Sequence, residues 1–493
     1  MPVTPALPPT RKWGQMHMMR LSWRRLVTES RRPQSIRQHP RAHWFAVATV
    51  CIGAFMGQLD ASIVTLALPT MQREFHASLG SVEWVALAYL LTLVSIITAI
   101  GRLADMFGRK LLYTYGFIVF TAGSLLCGMA PTLPLLIAAR VLQAVGAAML
   151  QANSVALIMH AMPRTQLGRG IGVQGAAQAV GLALGPALGG LLIALGGWRL
   201  IFFINVPAGV VGTALGWVML PRTRELGRRG RFDWPAAMLF MPTVGAVLIA
   251  ISFGNELGWL SPPVLGLWVS AAVLGLAFWV RERLTTWPMV DLGLFARAAF
   301  SAGISSGLLS YLVTFGTLFV VPFFLQHGRG MSSAVVGGQL TALPVALGVV
   351  APCAGRLSER IGSRPLTVGG MVVSAVALAL LAVLRPAGPA LAMGLALLGA
   401  GLGAFTPTNN ATIMSAAPRT ASGVAAGLLN MTRGLGTALG VALTGLVYGQ
   451  ILGTGAGNEG AFAAAAVFLS SMAVLAALLA GLGGSPSTSK ENG

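Results

Sequence analysis

The chain has 493 residues, of which 55% are hydrophobic and only 9% are charged. Soluble proteins average about 25% charged residues, so this composition excludes an ordinary soluble protein and predicts an integral membrane protein. The formal net charge of +20 does not indicate a nucleic-acid partner, because the basic residues stand in short segments between apolar runs, as in the positive-inside pattern.

Residues 1–42 form a basic segment with nine Arg and Lys residues and one acid, Glu29. We predict a disordered cytoplasmic tail, because the charged stretch is too long for a signal peptide and no cleavage site follows the first apolar run. Two alternatives are an amphipathic helix on the membrane surface, built on apolar residues at helical spacing, and a start codon assigned too early.

Fourteen apolar runs follow, each long enough to cross a bilayer as a helix. External segments hold only four basic residues, Arg73, Arg199, Arg329 and Arg385, which places both termini in the cytoplasm. The predicted domains are a basic tail (1–42), a six-helix bundle (43–220), a cytoplasmic loop with two linker helices (221–296), a second six-helix bundle (297–482) and a cytoplasmic tail (483–493). The predicted spans are 44–69, 84–101, 111–130, 135–158, 171–195, 200–220, 234–253, 264–280, 298–321, 334–355, 365–384, 388–415, 421–449 and 461–482.

An internal repeat relates the two bundles. The loop GRLADMFGRK at 101–110 recurs as GRLSERIGSR at 355–364, an offset of 254 residues. Matches around spans 4 and 12, and spans 5 and 13, follow at an offset of 255. Similarity in three regions at nearly one offset indicates a true repeat. Two parallel halves predict a transporter with its site between them.

Asp60 is the one charge in the first span. Helix rise places it roughly 13 Å below the outer surface, and Arg140 and Gln143 of span 4 roughly 8–12 Å down, so the three are expected to meet. A charge at the bilayer centre costs about 2.5–3.5 kcal/mol and marks a functional site by default. We predict that Asp60 and Arg140 couple protons to transport. The alternatives are a neutral Asp60 hydrogen-bonded to a neighbouring helix and a static ion pair.

Other polar residues in apolar surroundings are candidates for a substrate cavity between the halves. We expect Glu83 to be a solvated helix cap, and Asn205 to mark a helix entry. The candidate cavity residues are Gln58, Gln143, Asn153, Asn409, Asn410, Asn430 and Arg433.

Two glycine-containing motifs are candidates for conformational control. The 101–110 loop has a candidate gating set, Gly101, Asp105, Gly108 and Arg109, in which Asp105 is expected to face the positive end of a helix starting near Thr420. The alternative is a tight turn with topology charges. In span 5, Gly181, Gly185, Pro186, Gly189 and Gly190 allow close helix approach and a kink, with ordinary helix packing as the alternative.

These motifs resemble the major facilitator superfamily, specifically the fourteen-span drug:proton antiporters of the EmrB/QacA type. The resemblance covers about residues 44–482 and implies a major facilitator fold, export rather than uptake, and proton coupling through Asp60 and Arg140. Spans 9 to 14 lack an acid in their cores, unlike members that export divalent cations, which favours neutral, zwitterionic or monocationic amphiphiles. The motifs that carry the resemblance are residues 59–69, 101–110, 140–146, 181–190, 197–207 and 427–433.

The predicted fold is therefore an all-α membrane protein with 14 transmembrane helices in a 6+2+6 arrangement. The predicted function is proton-coupled export of amphiphilic drugs or antibiotics across the cytoplasmic membrane by alternating access. A dedicated exporter of one metabolite, siderophore or self-made antibiotic is the alternative. We expect no cofactor, metal or enzyme activity, since the six histidines are scattered and form no catalytic cluster. Partners are expected to be a small-molecule substrate, protons and lipids, with the chain acting as a monomer; the sequence is silent on a periplasmic adaptor.

Overall fold

The computed structural model describes residues 29, 32–163, 166–223, 233–285, 292–417 and 422–483. Within these ranges the chain is helical and has no strand. Lipid imposes this, because a membrane-spanning segment must satisfy its own backbone hydrogen bonds. Most of the predicted N-terminal tail (1–28, 30–31) and C-terminal tail (484–493) lies outside the described residues.

Fourteen of the described helices are long and apolar enough to cross a membrane. Two of them are interrupted, α6 after Phe203 and α10 after Leu340. Most extend a few residues beyond the predicted apolar runs. Their bounds are α1 Ala42–Glu74, α2 Leu79–Phe107, α3 Arg109–Met129, α4 Leu133–Ala161, α5 Leu167–Gly196, α6 Leu200–Phe203 and Asn205–Met219, α7 Trp234–Leu257, α8 Pro262–Leu284, α9 Ala298–Phe323, α10 Ser333–Leu340 and Ala342–Ile361, α11 Ser363–Leu384, α12 Pro389–Ala416, α13 Ser422–Gly453 and α14 Gly457–Leu482.

Helix packing repeats with a shift of eight helices. In the first half α1 packs against α5, α2 against α4, and α3 against both α4 and α6. In the second half α9 packs against α13, α10 against α12, and α11 against both α12 and α14. The internal sequence repeat therefore has a counterpart in two bundles of matching arrangement.

The two bundles meet along three helix pairs, α5 with α10, α2 with α13, and α1 with α9. Of the two additional helices, α7 packs against α2 and α13, whereas α8 packs mainly against α7. The exposed apolar side chains of α8 include Val269, Val273 and Leu276. Hence α7 covers a seam between the bundles and α8 presents most of its surface to lipid.

The repeated loop forms the same turn in both halves. Gly108 ends α2 with a φ of 108°, and Gly362 ends α10 with a φ of 84°. Residues with a side chain rarely adopt positive φ, so both positions favour glycine. The next residue in each case begins a new helix, α3 or α11. The repeat thus fixes a sharp reversal at the end that we predict to be cytoplasmic.

Candidate functional site

The first bundle contains a fully buried ion pair. Asp60 of α1 and Arg140 of α4 are 0% and 1% exposed. The Nη1 atom of Arg140 donates to the Oδ2 atom of Asp60 at 2.7 Å. Each charge would be costly alone at this depth, so the pair neutralises both. The structure brings these two predicted coupling residues into direct contact.

Two carboxamides complete the environment of the carboxylate. Gln143 donates through Nε2 to the Oδ1 atom of Asp60 at 2.8 Å, and Asn205 donates through Nδ2 to the same oxygen at 3.4 Å. The Oε1 atom of Gln143 accepts from Arg140 at 2.6 Å, and its Nε2 also lies 2.7 Å from the hydroxyl of Ser124. Gln143 therefore belongs to a fixed polar network.

Arg140 is held by two further contacts. Its Nε atom donates to the carbonyl oxygen of Val85 at 2.9 Å, and its guanidinium lies 4.1 Å from the ring centre of Tyr89. These contacts come from α2, so the first bundle fixes the guanidinium independently of Asp60. Arg140 therefore retains partners if Asp60 takes a proton.

A small cavity adjoins the ion pair where the two bundles meet. Its volume is about 10 Å³, close to the space that one water molecule needs. The lining comes from α1, α2 and α4 on one side and from α9 and α13 on the other. The lining residues are Ala61, Val64, Thr65, Ala86, Tyr89, Leu90, Arg140, Phe315, Thr437 and Val441.

The predicted cavity residues do not form one set. Asn153 is buried and donates to the carbonyl oxygen of Met149 in its own helix. Asn409 is buried inside the second bundle, where it donates to the carbonyl oxygen of Gly303 at 2.9 Å. With Gln143 in the ion-pair network, none of these three lines the small cavity between the bundles; Asn409 instead lines a cavity of about 20 Å³ within the second bundle. The remaining candidates, Gln58, Asn410, Asn430 and Arg433, are half-buried.

Three residues that sequence reasoning missed belong to the network, namely Ser124, Tyr89 and Asn205. We expected Asn205 to mark a helix entry, and it does begin the second segment of α6, but it also contacts Asp60. The sequence signal for a role of Asn205 in the site was a polar side chain within an apolar run. Glu83, expected to be a solvated cap, is only 1% exposed, because its carboxylate packs onto Gly445 of α13.

The glycine motif of span 5 packs α5 between two helices. A Cβ atom at Gly181 would lie 2.5 Å from the carbonyl oxygen of Phe55, and one at Gly185 would overlap the hydroxyl of Ser62. Gly189 faces Ile63 of the same helix, α1. On the opposite bundle, α10 contacts Gly190 through the carbonyl of Ser333, and its Gly337 contacts the carbonyl of Pro186. All five motif residues therefore lie in or beside close helix contacts.

The candidate gating set has an unforeseen partner in the N-terminal tail. Glu29 is buried, and its carboxylate accepts from the backbone N–H of Lys110 at 3.1 Å and from that of Thr223 at 2.5 Å. The backbone N–H of Arg109 donates to the hydroxyl of Thr223 at 2.8 Å. A Cβ at Gly108 would collide with Glu29, whereas one at Gly101 would meet open space. The side chain of Asp105 lies outside the described residues, and so does Thr420.

Contacts between the bundles are dense at the end that we predict to be external. The side chain of Gln326, in a π-helical turn after α9, donates to the carbonyl oxygen of Leu66 at 3.1 Å and lies 3.4 Å from the hydroxyl of Thr70. Contacts between α5 and α10 are concentrated in the first segment of α10, Ser333–Leu340. At the opposite end a Cβ at Gly172 of α5 or at Gly355 of α10 would meet open space. The described bundles are thus closed at one end and looser at the other.

The chain matches known proteins over nearly its whole length. The family model described as Major Facilitator Superfamily matches residues 50–304 and 303–492. The chain belongs to the major facilitator superfamily. This membership confirms the predicted fold class and makes the protein a multi-pass transporter of small molecules, not an enzyme.

The transporter has relatives among exporters and resistance proteins. It is 33% identical over 411 residues to the riboflavin transporter RibZ of Clostridioides difficile (strain 630), covering 83% of this chain and 89% of the relative. It is 34% identical over 399 residues to the multidrug resistance protein Stp of Mycobacterium tuberculosis (strain ATCC 25618 / H37Rv), covering 80% and 74%. It is 32% identical over 414 residues to the tetracenomycin C resistance and export protein of Streptomyces glaucescens, covering 83% and 77%.

A solved structure supports the fold. A bacterial homologue of the human lysosomal transporter Spinster, in an inward-facing and unoccupied conformation, matches with a TM-score of 0.63. The match covers 90% of this chain and 95% of that chain at 15% sequence identity. At this identity the likeness shows a shared fold alone.

Proposed function

We propose that the transporter is a proton-coupled antiporter that exports amphiphilic drugs or antibiotics across the cytoplasmic membrane. The observation that carries this proposal is the carboxyl group of Asp60, fully buried within a membrane helix and bound to Arg140. An intramembrane acid paired with a cation beside a cavity has the properties of a proton relay.

The hydrogen bonds suggest how a proton changes the site. In the described state both oxygens of Asp60 accept hydrogen bonds, Oδ2 from Arg140 and Oδ1 from Gln143. A proton on Oδ2 occupies the position that Arg140 now uses, so protonation weakens the ion pair. Arg140 then depends on Val85 and Tyr89 for its position.

The contacts between the bundles supply the conformational half of the mechanism. With the termini in the cytoplasm, the closed end faces outward and the described state faces inward. Opening the contacts at Gln326 and Gly190 gives Asp60 access to external protons, and closing them again allows release to the inside. Substrate moves in the opposite sense as the bundles rock.

Relatives support export and leave the substrate range in question. Some carry names for multidrug resistance, and others are named for one compound, such as riboflavin or tetracenomycin C. A dedicated exporter is therefore the second candidate. Resistance to several unrelated compounds, measured in cells expressing the protein, indicates a multidrug exporter; resistance to one compound indicates the dedicated form.

Inside-out membrane vesicles test proton coupling directly. Respiration acidifies the vesicle interior. A substrate that enters in exchange for protons dissipates this proton gradient, and a pH-sensitive dye reports the change. We expect Asp60→Asn to abolish this response while the protein still reaches the membrane. Glu459→Gln is the matched control. Glu459 is half exposed in the first turn of α14 and pairs with Arg329 in the loop before α10.

A wild-type proton response from Asp60→Asn would refute the proposal. Suitable substrates are riboflavin, methylenomycin A and tetracenomycin C, after which relatives are named, together with unrelated amphiphiles. We further propose that the chain works as a monomer in contact with lipids, and that the proton gradient is its energy source with no resident cofactor.

A further inference from the structure

The second bundle brings a cation toward the centre of the transporter. Arg433 lies in the middle of α13 and is half-buried, and its buried Nε atom has no hydrogen-bond partner. Its guanidinium lies 5.7 Å from the ring centre of Tyr311 on α9. No carboxylate in the described part of the chain lies within ion-pairing distance of it.

Arg433 lies one helical turn from the small cavity beside the Asp60–Arg140 pair. Thr437 and Phe315 line the small cavity beside Arg140. Arg433 precedes Thr437 by four residues on α13, and Tyr311 precedes Phe315 by four on α9. Residues four apart share a helix face. Arg433 and Tyr311 therefore lie on the same helix faces as the cavity lining, about one helical turn nearer the looser end.

The charges of Asp60, Arg140 and Arg433 do not balance. Asp60 is occupied by Arg140, Gln143 and Asn205, so the first bundle contributes a neutral pair. Arg433 then leaves an uncompensated positive charge in a membrane interior where charge is costly. The planar guanidinium is well suited to bind a carboxylate through two parallel hydrogen bonds.

We infer that the site takes an amphiphile with an anionic oxygen group, a carboxylate or its chemical equivalent, which Arg433 binds. The apolar part of the substrate then packs on the rings of Tyr311 and Phe315. Among the described residues no carboxylate pairs with Arg433, so a cationic substrate has to displace Arg140 from Asp60. This inference rests on the proposed export function for the identity of the site. Of the neutral, zwitterionic or monocationic amphiphiles expected from the sequence, it favours those that carry an anionic group.

Three probes that differ only in their charged group test the inference. They are 1-pyrenebutyrate, its neutral amide, and the corresponding pyrenylbutyl trimethylammonium cation. Equilibrium binding to the purified full chain in detergent is measured without a proton gradient. We expect the wild type to bind the carboxylate about tenfold more tightly than either other probe, the gain from one charge-assisted contact.

Variants assign the preference to Arg433. Arg433→Gln is expected to lose about tenfold in affinity for the carboxylate and to bind the amide as before, whereas Arg433→Lys retains a preference for the anion. Arg283→Gln, which removes an exposed cation from α8, controls for net charge and is expected to bind all three probes like the wild type.

Equal binding of the three probes by the wild type, binding of none, or an unchanged carboxylate affinity in Arg433→Gln overturns the inference. An equal loss for all three probes in Arg433→Gln also overturns it, because that result assigns a structural role. Proton coupling through Asp60 is tested by the vesicle response instead, so either proposal can fail while the other stands.

Discussion

At the scale of single residues, Gln143 links the two charges of the site. Its amide group donates to Asp60 and its carbonyl accepts from Arg140, so one side chain fixes the orientation of both. A buried donor or acceptor that loses its partner costs about 1–3 kcal/mol. The function of the ion pair therefore depends on an uncharged neighbour.

We predict that Gln143→Leu lowers substrate-driven proton exchange at least about tenfold, since the loss of its hydrogen bonds to Asp60 and Arg140 misplaces the ion pair. Initial rates in inside-out vesicles, normalised to the amount of protein, measure this effect. Asn153→Leu is the matched control, because Asn153 is another buried amide of α4, and it donates to the carbonyl oxygen of Met149 within its own helix. Similar losses in both variants would contradict a specific role for Gln143.

The contact among Asp60, Arg140 and Gln143 could be predicted because helix rise converts sequence position into depth. Asn205 and Tyr89 could not be assigned in this way. Whether a side chain at the right depth points at Asp60 depends on the rotation of its helix, and packing against neighbours fixes that rotation. The same limitation explains why Asn409 was assigned to the cavity and lies inside the second bundle.

At the scale of elements, α5 is divided into a packed half and an open half. Gly181, Gly185 and Gly189 bring it against α1, whereas Gly172 and Gly175 meet open space. The spacing of the glycines predicted one packed face. Their division between the two ends was not predictable, because it depends on how the bundles are tilted.

We predict that Gly185→Val destabilises the protein by about 1–3 kcal/mol, since the added side chain overlaps Ser62. Thermal unfolding in detergent is expected to show a lower Tm. Gly172→Ala is the matched control, where the new methyl group enters open space and the Tm is expected to stay the same or rise. A Tm for Gly185→Val equal to that of the wild type would show that α1 and α5 adjust freely.

The two additional helices are joined by a carboxylate. Asp233 accepts from the backbone N–H of Ala236 at 3.1 Å, which caps α7, and from Nε of Arg281 on α8 at 3.0 Å. Burial alone raises the pKa of Asp233. The hydrogen bonds from Arg281 and Ala236 and the positive charge of Arg281 outweigh this effect, so the pKa lies below its ordinary value.

A lowered pKa means that Asp233 stabilises the fold above the ordinary aspartate pKa of about 3.9 and loses this contribution as the pH falls through the lower, folded-state value. We predict that Asp233→Asn reduces stability by about 0.2–1 kcal/mol at pH 7, as expected for a lost ion pair with the half-exposed Arg281, because an asparagine at this position still caps α7. The difference in Tm from the wild type is expected to shrink as the pH falls below about 4. A difference that is independent of pH would assign the effect to packing.

At the scale of the whole molecule, the two bundles are held together at one end. Gln326 reaches across the interface to the carbonyl of Leu66. We predict that Gln326→Leu shifts the transporter toward the outward-open state. Spin labels on Arg73→Cys and Arg329→Cys, both exposed at that end, are expected to show a larger population of long distances.

Thr454→Ala is the control for this experiment, because its hydroxyl bonds only within its own helix at the same end. An unchanged distance distribution in Gln326→Leu would show that the glycine contacts of α5 and α10 suffice to keep the end closed. The internal repeat predicted two bundles of matching fold. It did not predict which end is closed, since that depends on the balance of contacts between bundles rather than on either repeat.

The seat of Glu29 has a practical consequence for handling this protein. Its carboxylate binds the backbone at the start of α3 and also Thr223 beyond the end of α6. One tail residue therefore links the ends of two membrane helices. If a truncation that removes the basic tail to improve expression ends after residue 29, the backbone N–H of Thr223 is expected to lose its bond to Glu29, while that of Lys110 keeps the hydroxyl of Thr223. Shortened proteins that begin before Glu29 are expected to keep this link.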